Sequence, residues 1–382
     1  MKILLINNEF PPIGGGGSTV TRYGAKELVA SGHEVQLVTS SYRGFPRHEV
    51  REGYQIHRVP TVRRRPDYCS VWELMIFTVA AFLYCLKLVR EFKPDIIQAY
   101  FAVPAGGIAY ALNKIYGIPY CIFLGGSDVP YANKTRYRFV YPVLAPLIKL
   151  FWRNAVAVTV PSKGLIADAR AYDPGQEFLL IPNGVDLEHF QPTTQEHQGP
   201  LKILMVGRLI KRKGFQYLIA AVPEILKKTN QAFVVEFVGT GPDEADLKNL
   251  VRELGVESQV KFLGPSSYEE LHRHYQRADI FVLPSTSEGM SLVLVEAVAS
   301  GLPAVVSKVE GNDELVKYEK NGYLLTLAQI QDPEVFAGYL SKLISDDKLR
   351  QVMGKESRVI AQAFGWKKII NKYIKIYQEV LS

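Results

Sequence analysis

Short apolar runs of strand length punctuate this chain, and they come in two series. The first occupies residues 3–6, 34–39, 53–59, 96–100, 118–124, 155–160 and 179–181. Helical patterns at 19–31 and 72–92 fall between them. Residues 191–200 are then polar, with two prolines and a glycine, and read as a linker. The series restarts with strands at 202–206, 233–238, 260–263, 280–283 and 304–306. Helices are expected at 214–228, 243–254, 268–276 and 312–318, with a long helical region at the C-terminus. Strand–helix alternation builds a parallel sheet covered on both faces. The expectation is an α/β chain of two doubly wound, Rossmann-like domains, 1–190 and 201–366, facing a central cleft. Ligands in such sheets bind beyond the carboxyl ends of the strands.

The 382 residues exceed one ordinary core, which agrees with two domains. Cys69, Cys85 and Cys121 are too few and too scattered for a disulfide framework or a zinc site, which favours a reducing compartment. The N-terminus turns polar after Ile6, so it reads as a buried strand rather than a signal peptide. A cytoplasmic protein is expected. The net charge of +7 lies almost wholly in the first half, where residues 1–190 hold 21 Lys/Arg against 15 Asp/Glu. Between Asp128 and Asp168 there is no acidic residue. Lys134, Arg136, Arg138, Lys149, Arg153 and Lys163 alternate there with Tyr131, Tyr137, Phe139, Tyr141, Phe151 and Trp152. That mixture suits an anionic membrane surface or glycan, and equally a helix with solvated charges and a buried aromatic side. No nucleic-acid-binding motif accompanies it. The uncharged run 74–86 would span about 20 Å as a helix, short of a bilayer's roughly 30 Å. It is expected to be a core or interfacial helix, with Arg63-Arg64-Arg65 upstream leaving peripheral membrane contact open.

Charged residues at the strand ends of the second series are the candidates for chemistry. Gly207-Arg208 follows its first strand and Lys213-Gly214 comes soon after, so two cations suited to a diphosphate stand at one strand end. Gly239 follows the next strand and permits close backbone approach. Phe262, Leu263 and Gly264 follow a third and could border a nucleobase. Beyond the fourth comes Ser287-Glu288-Gly289-Met290-Ser291-Leu292, with Glu296 eight residues after Glu288. A helix entered there would put Glu288 at its mouth and Glu296 about two turns deeper, with free N–H groups for a phosphate and carboxylates for sugar hydroxyls. Two glutamates at that spacing on a solvated helix face are the plain alternative.

Taken together, Gly207-Arg208-Leu209, Lys213-Gly214, Phe262-Leu263-Gly264, Ser287-Glu288-Gly289, Glu296-Ala297 and Gly301-Leu302-Pro303 resemble the large family of retaining, nucleotide-sugar-dependent glycosyltransferases of the GT-B fold, glycosyl transferases group 1. Pro11-Pro12, Gly14–Gly17, Gly32-His33-Glu34-Val35, Pro94-Asp95 and Ile181-Pro182-Asn183-Gly184-Val185-Asp186 extend the likeness over the first half. The resemblance implies that Arg208 and Lys213 grip the donor diphosphate, and that Glu288 contacts the transferred sugar. Glu296 would bind the ribose, and Gly207, Gly239, Gly289, Met290, Ser291 and Leu292 would line the donor site. It implies that Gly14, Gly15, Gly16 and Gly17 close over the donor phosphate, and that helix 367–382 crosses back onto the first domain. It implies no metal and no cofactor besides the donor. A UDP-sugar is the expected donor, and a glycan or lipid-linked sugar the expected acceptor in cell-surface polysaccharide synthesis.

One position departs from the family pattern. Many members of that family carry a histidine where Leu124-Gly125-Gly126-Ser127-Asp128 has Gly125. Gly125, Gly126 and Ser127 could then offer backbone N–H groups to the acceptor, and Asp128 could bind it. The glycine also motivates a rival reading as a non-catalytic nucleotide-sugar-binding subunit. A sugar-phosphate synthase or nucleotide-sugar epimerase would fit the same frame.

Overall fold

The computed structural model describes residues 1–65, 69–126, 128–129, 141–193 and 199–382. The chain divides into two compact units, residues 1–183 with 366–382, and residues 184–365.

The first unit contains β1 (Lys2–Ile6), α1 (Gly16–Ala30), β2 (Glu34–Ser40), β3 (His48–Arg51), β4 (Tyr54–Val59), α2 (Val71–Phe92), β5 (Ile96–Tyr100) and α3 (Gly107–Tyr116). It continues with β6 (Tyr120–Phe123), α4 (Tyr141–Asn154), β7 (Ala157–Val160), α5 (Lys163–Tyr172) and β8 (Leu179–Leu180). Its sheet runs β3-β4-β2-β1-β5-β6-β7-β8. Every pairing is parallel except β3 with β4. The edge strand β3 went unforeseen because it buries no face and so carries no apolar run. Strand order reverses around β1, which lies between β2 and β5. The carboxyl ends of β1 and β5 are therefore where a doubly wound sheet opens for a ligand.

The second unit contains β9 (Leu201–Val206), α6 (Phe215–Lys228), β10 (Phe233–Val238), α7 (Glu244–Glu253), β11 (Val260–Gly264), α8 (Tyr268–Gln276), β12 (Ile280–Leu283) and α9 (Leu292–Ala299). After these come β13 (Ala304–Ser307), α10 (Asn312–Leu315), β14 (Gly322–Leu325), α11 (Leu327–Gln331), α12 (Pro333–Ser345) and α13 (Asp347–Ala361). Its parallel sheet runs β11-β10-β9-β12-β13-β14, with the switch between β9 and β12. Ile203 and Met205 of β9 enter one core while Leu204 and Val206 enter the other, so the strand is apolar from Ile203 onward because both faces are covered.

The division falls earlier than the 191–200 linker. Val185 and Phe190 are already buried in the second core, and the Arg358 guanidinium donates to the carbonyls of Leu187, Phe190 and Ala299. A polar stretch marked the linker in the sequence, but two buried apolar side chains ahead of it set where the unit begins. Residues 194–198 of that stretch lie outside the described residues. The last helix, α14 (Trp366–Leu381), belongs to the first unit. Trp366 stacks on Tyr23 with ring centroids 5.5 Å apart, and the Tyr377 hydroxyl donates to Gln98 Oε1 at 2.7 Å.

Helix α2 is longer than the uncharged run within it. Its 22 residues span about 33 Å and meet the length and composition of a membrane-crossing helix. One face, with Phe77, Ala81, Cys85, Leu88 and Phe92, is nevertheless packed into the core. A capping box of Ser70 and Glu73 fixes its start.

Candidate active site

In the second unit the loops after β9 and β12 are tied together at the sheet's switch point. Thr286 N–H donates to the Arg212 carbonyl at 2.8 Å, and Arg212 Nη1 donates to the Ser287 carbonyl at 2.7 Å. Lys213 Nζ lies 2.7 Å from Glu288 Oε1. Gly214 makes this register possible. Its φ is +82°, and a Cβ there would overlap the Pro284 carbonyl. Gly239, at φ +138°, likewise leaves no room for a side chain against the Gly207 carbonyl, so the ends of β9 and β10 close up. The Lys213 stem runs alongside Gly207, and Arg208 is the next residue, with its side chain exposed. Sequence reading named Arg208 and Lys213 but missed Arg212. Its role rests on a hydrogen bond to a carbonyl 75 residues away.

Burial alone would raise the Glu288 pKa, but the adjacent charges of Lys213 and Arg212 outweigh it and hold the carboxyl below its ordinary range. Glu288 is therefore an ionised, largely buried acceptor. It does not sit at a helix mouth. Helix α9 begins four residues later, at Leu292, and Glu296 lies about one turn inside rather than two. The stretch 288–291 is loop, with the Met290 side chain in the core and the Gly289 carbonyl packed where a Gly311 Cβ would stand. Met290 therefore offers its backbone, not its side chain. Ser291 caps α9 without a side-chain hydrogen bond, and the first amides of the helix have no partner within it. Glu296 is buried and accepts from the Tyr275 hydroxyl at 2.9 Å. Desolvation pushes its pKa up to about 7 against the pull of that hydrogen bond. Phe262 packs edge-on to Phe237, with Lys248 over its ring, so its side chain serves the core. Exposed Leu263 and the backbone of Gly264 are what this strand end presents.

In the first unit Gly14 and Gly15 form the turn after β1, while Gly16 and Gly17 already belong to the first turn of α1. Glu9 Oε2 accepts from the Gly15 amide at 3.4 Å. Arg63 Nη2 lies 3.8 Å from the other Glu9 oxygen, and Arg63 Nη1 donates to the Asn8 carbonyl. Arg63 is thus turned inward, unlike exposed Arg64 and Arg65. The missing histidine has a physical counterpart. Phe101, at φ +77°, places its ring where a Cβ on Gly17 would overlap it and 2.8 Å from where a Cβ on Gly125 would stand. The Gly125 amide is not free for an acceptor, because it donates to Asp128 Oδ2 at 2.8 Å. Desolvation pushes the Asp128 carboxyl up to about 8, opposed by the Gly125 and Ala102 amides and aided by Glu9, so near neutral pH it carries a proton. Gly126 is exposed beside it. Ser127, Tyr131, Lys134, Arg136, Tyr137, Arg138 and Phe139 lie outside the described residues.

Residues 188–359 match the family model for glycosyl transferases group 1, and residues 15–184 match the glycosyl transferase 4-like domain. The chain is a group 1 glycosyltransferase. An uncharacterized glycosyltransferase of Methanocaldococcus jannaschii is 27% identical over 399 aligned residues, covering 99% of this transferase and 98% of its own length. Among solved structures, sucrose-phosphate synthase from Thermosynechococcus elongatus has a TM-score of 0.85 at 23% identity, covering 100% of this chain and 99% of its own. Anabaena HepE in complex with UDP and glucose has a TM-score of 0.77 at 19% identity, covering 99% and 100%. At such identities the structures establish the shared GT-B fold and nothing finer.

Proposed function

We propose that the transferase moves a sugar, with retention at the anomeric carbon, from a nucleoside diphosphate sugar to a glycan or lipid-linked acceptor. A UDP-sugar is the first donor to test, a choice supported by the UDP named with the HepE structure. Cell-surface polysaccharide synthesis at the cytoplasmic face of a membrane is the setting this reading assigns. The observation that carries it is the Lys213–Glu288 pair at the β9–β12 switch point, with Glu288 four residues ahead of the start of α9.

The chemistry follows from where charge develops. As the bond from C1 to the diphosphate oxygen breaks, negative charge grows on the leaving phosphate. Arg208, Lys213 and the first amides of α9 would neutralise it, and groups fixed beforehand stabilise the transition state more than the ground state. Glu288, kept ionised, would accept from hydroxyls of the transferred sugar, and Glu296 from the ribose. The acceptor oxygen bonds to C1 on the face the phosphate leaves, and its proton passes to a phosphate oxygen. No step is routed through a metal ion, so activity should survive chelation.

The test is a thermal-stability panel of UDP, GDP, ADP and their sugars in chelator, followed by product analysis. A ligand confined to the native state raises its stability by about 2.7 kcal/mol at a hundredfold excess over its Kd. One nucleotide family should shift the midpoint, and Glu288→Gln should abolish transfer while nucleotide binding persists. Undiminished transfer by Glu288→Gln would refute the assignment. An altered nucleotide sugar formed without acceptor would point to an epimerase instead.

A further inference from the structure

Helix α2 presents two unlike faces. Its inner face is core, but Trp72, Met75, Ile76, Val79 and Leu83 are exposed. At about 100° per residue these five fall within one stripe roughly 100° wide along the outer side. Trp72 is the extreme case, at 73% exposed. Cations bracket the stripe. Exposed Arg64 lies at its start, where its amide donates to Glu73 Oε1, and exposed Lys87 and Arg90 continue the same face for the last two turns. Lys87 pairs with Glu91 at 3.6 Å, an exposed pair that water screens, and Arg90 Nε reaches the Tyr116 hydroxyl. Residues 62–93 hold six Lys/Arg against three Asp/Glu, and Glu73 is buried in its capping box.

We infer that the outer face of α2 docks the first unit on an anionic lipid surface, with the helix lying in the interface rather than spanning it. Its packed inner face excludes a lipid environment all round. An apolar stripe with a tryptophan at one end and basic residues at both ends matches an interfacial helix, which buries its apolar side by about 5–10 Å and pairs its cations with headgroups. This extends the lipid-linked reading of the acceptor, but it rests on the helix alone.

The protein carries its own probe. Of its three tryptophans, Trp152 is 0% exposed and Trp366 4%, so a change in emission on adding vesicles reports Trp72. The full chain is titrated with vesicles of phosphatidylethanolamine and phosphatidylglycerol, and with pure phosphatidylcholine, at low and high salt. Cosedimentation and Trp emission are read together. The expected result is binding to the anionic vesicles with a blue shift, weakened by salt. Val79→Asp with Leu83→Asp should lower partitioning by at least about tenfold. Both positions are exposed, so the thermal midpoint and transfer to a soluble acceptor in vesicle-free buffer should be unchanged. Lys87→Glu with Arg90→Glu should weaken binding at low salt and flatten its salt dependence. Absence of binding to either vesicle, binding without a change in Trp emission, or binding untouched by both double variants would each overturn the proposal. So would a concentration-dependent dimer whose dissociation alone exposes Trp72. Loss of transfer with vesicle binding intact would count against the proposed reaction and leave the docking face standing.

Discussion

Replacing Glu296 by Gln should leave the second unit's stability nearly unchanged in acid and raise it in alkali. Glu296 is buried, and its pKa rises from the ordinary 4.5 to about 7. Between those values the folded chain keeps a proton that the unfolded chain has released. The stability tied to this group is therefore intact below pH 4.5, falls as pH rises, and is fully lost above pH 7. At about 1.36 kcal/mol per pH unit the whole effect is about 3 kcal/mol, with about 2.5 kcal/mol of it between pH 5 and pH 8. Gln cannot ionise, yet it keeps an oxygen for the Tyr275 hydroxyl. Calorimetry at the two pH values is the assay, each unit's transition being fitted separately. In a unit of this size 1 kcal/mol moves the midpoint by about 2–4 °C, so the variant should gain about 5–10 °C more at pH 8 than at pH 5. Asp128 is the same in both proteins and cancels in the comparison. The same variant should bind the nucleotide more weakly, having lost a charged acceptor. An equal midpoint difference at both pH values, or a loss at pH 8, would refute the reasoning.

Lys213→Met strands the ionised Glu288 in a largely buried place and should cost about 3 kcal/mol in chemical denaturation, most of it recovered by adding Glu288→Gln. Gly214→Ala forces a side chain into the left-handed region and against the Pro284 carbonyl; it should destabilise the second unit by about 3 kcal/mol and weaken nucleotide binding measured by calorimetric titration. Gly125→His should lower the first unit's melting transition, by about 2 kcal/mol, because Phe101 fills the space. Adding Phe101→Ala should return at least half of that loss, and a simple sum of the two single effects would show that the ring is not the obstacle.

The parallel strands were legible because a strand covered on both faces must be apolar where it is covered, as 203–206 is. Lys213 and Glu288 could be picked out because charges in the loops that follow such runs gather at the strand ends, and the structure pairs the two. What stayed hidden depends on contacts distant in sequence. Arg212 is one of three adjacent cations, and only the Ser287 carbonyl singles it out. Tyr275 as the partner of Glu296 lies 21 residues away on another helix. The start of α9 was misplaced because Gly289-Met290-Ser291 continues the apolar, small-residue pattern without a helical backbone. The left-handed conformation of Phe101 leaves no trace in composition. An uncharged run such as 74–86 of α2 does not reveal which side is covered.

Because residues 366–382 belong to the first unit, the second is an insertion within it, and this sets the order in which the two can be finished during synthesis. Residues 184–365 leave the ribosome as an uninterrupted stretch and can close their sheet as soon as they are out. The first unit, although made earlier, still lacks Trp366 to stack on Tyr23 and the Tyr377 hydroxyl for buried Gln98. It must wait with those sites open while the whole of the other unit is translated, at about 5–20 residues per second in general. A nick or stall near residue 366 would therefore leave the neighbouring sheet whole and the far end of the chain incomplete.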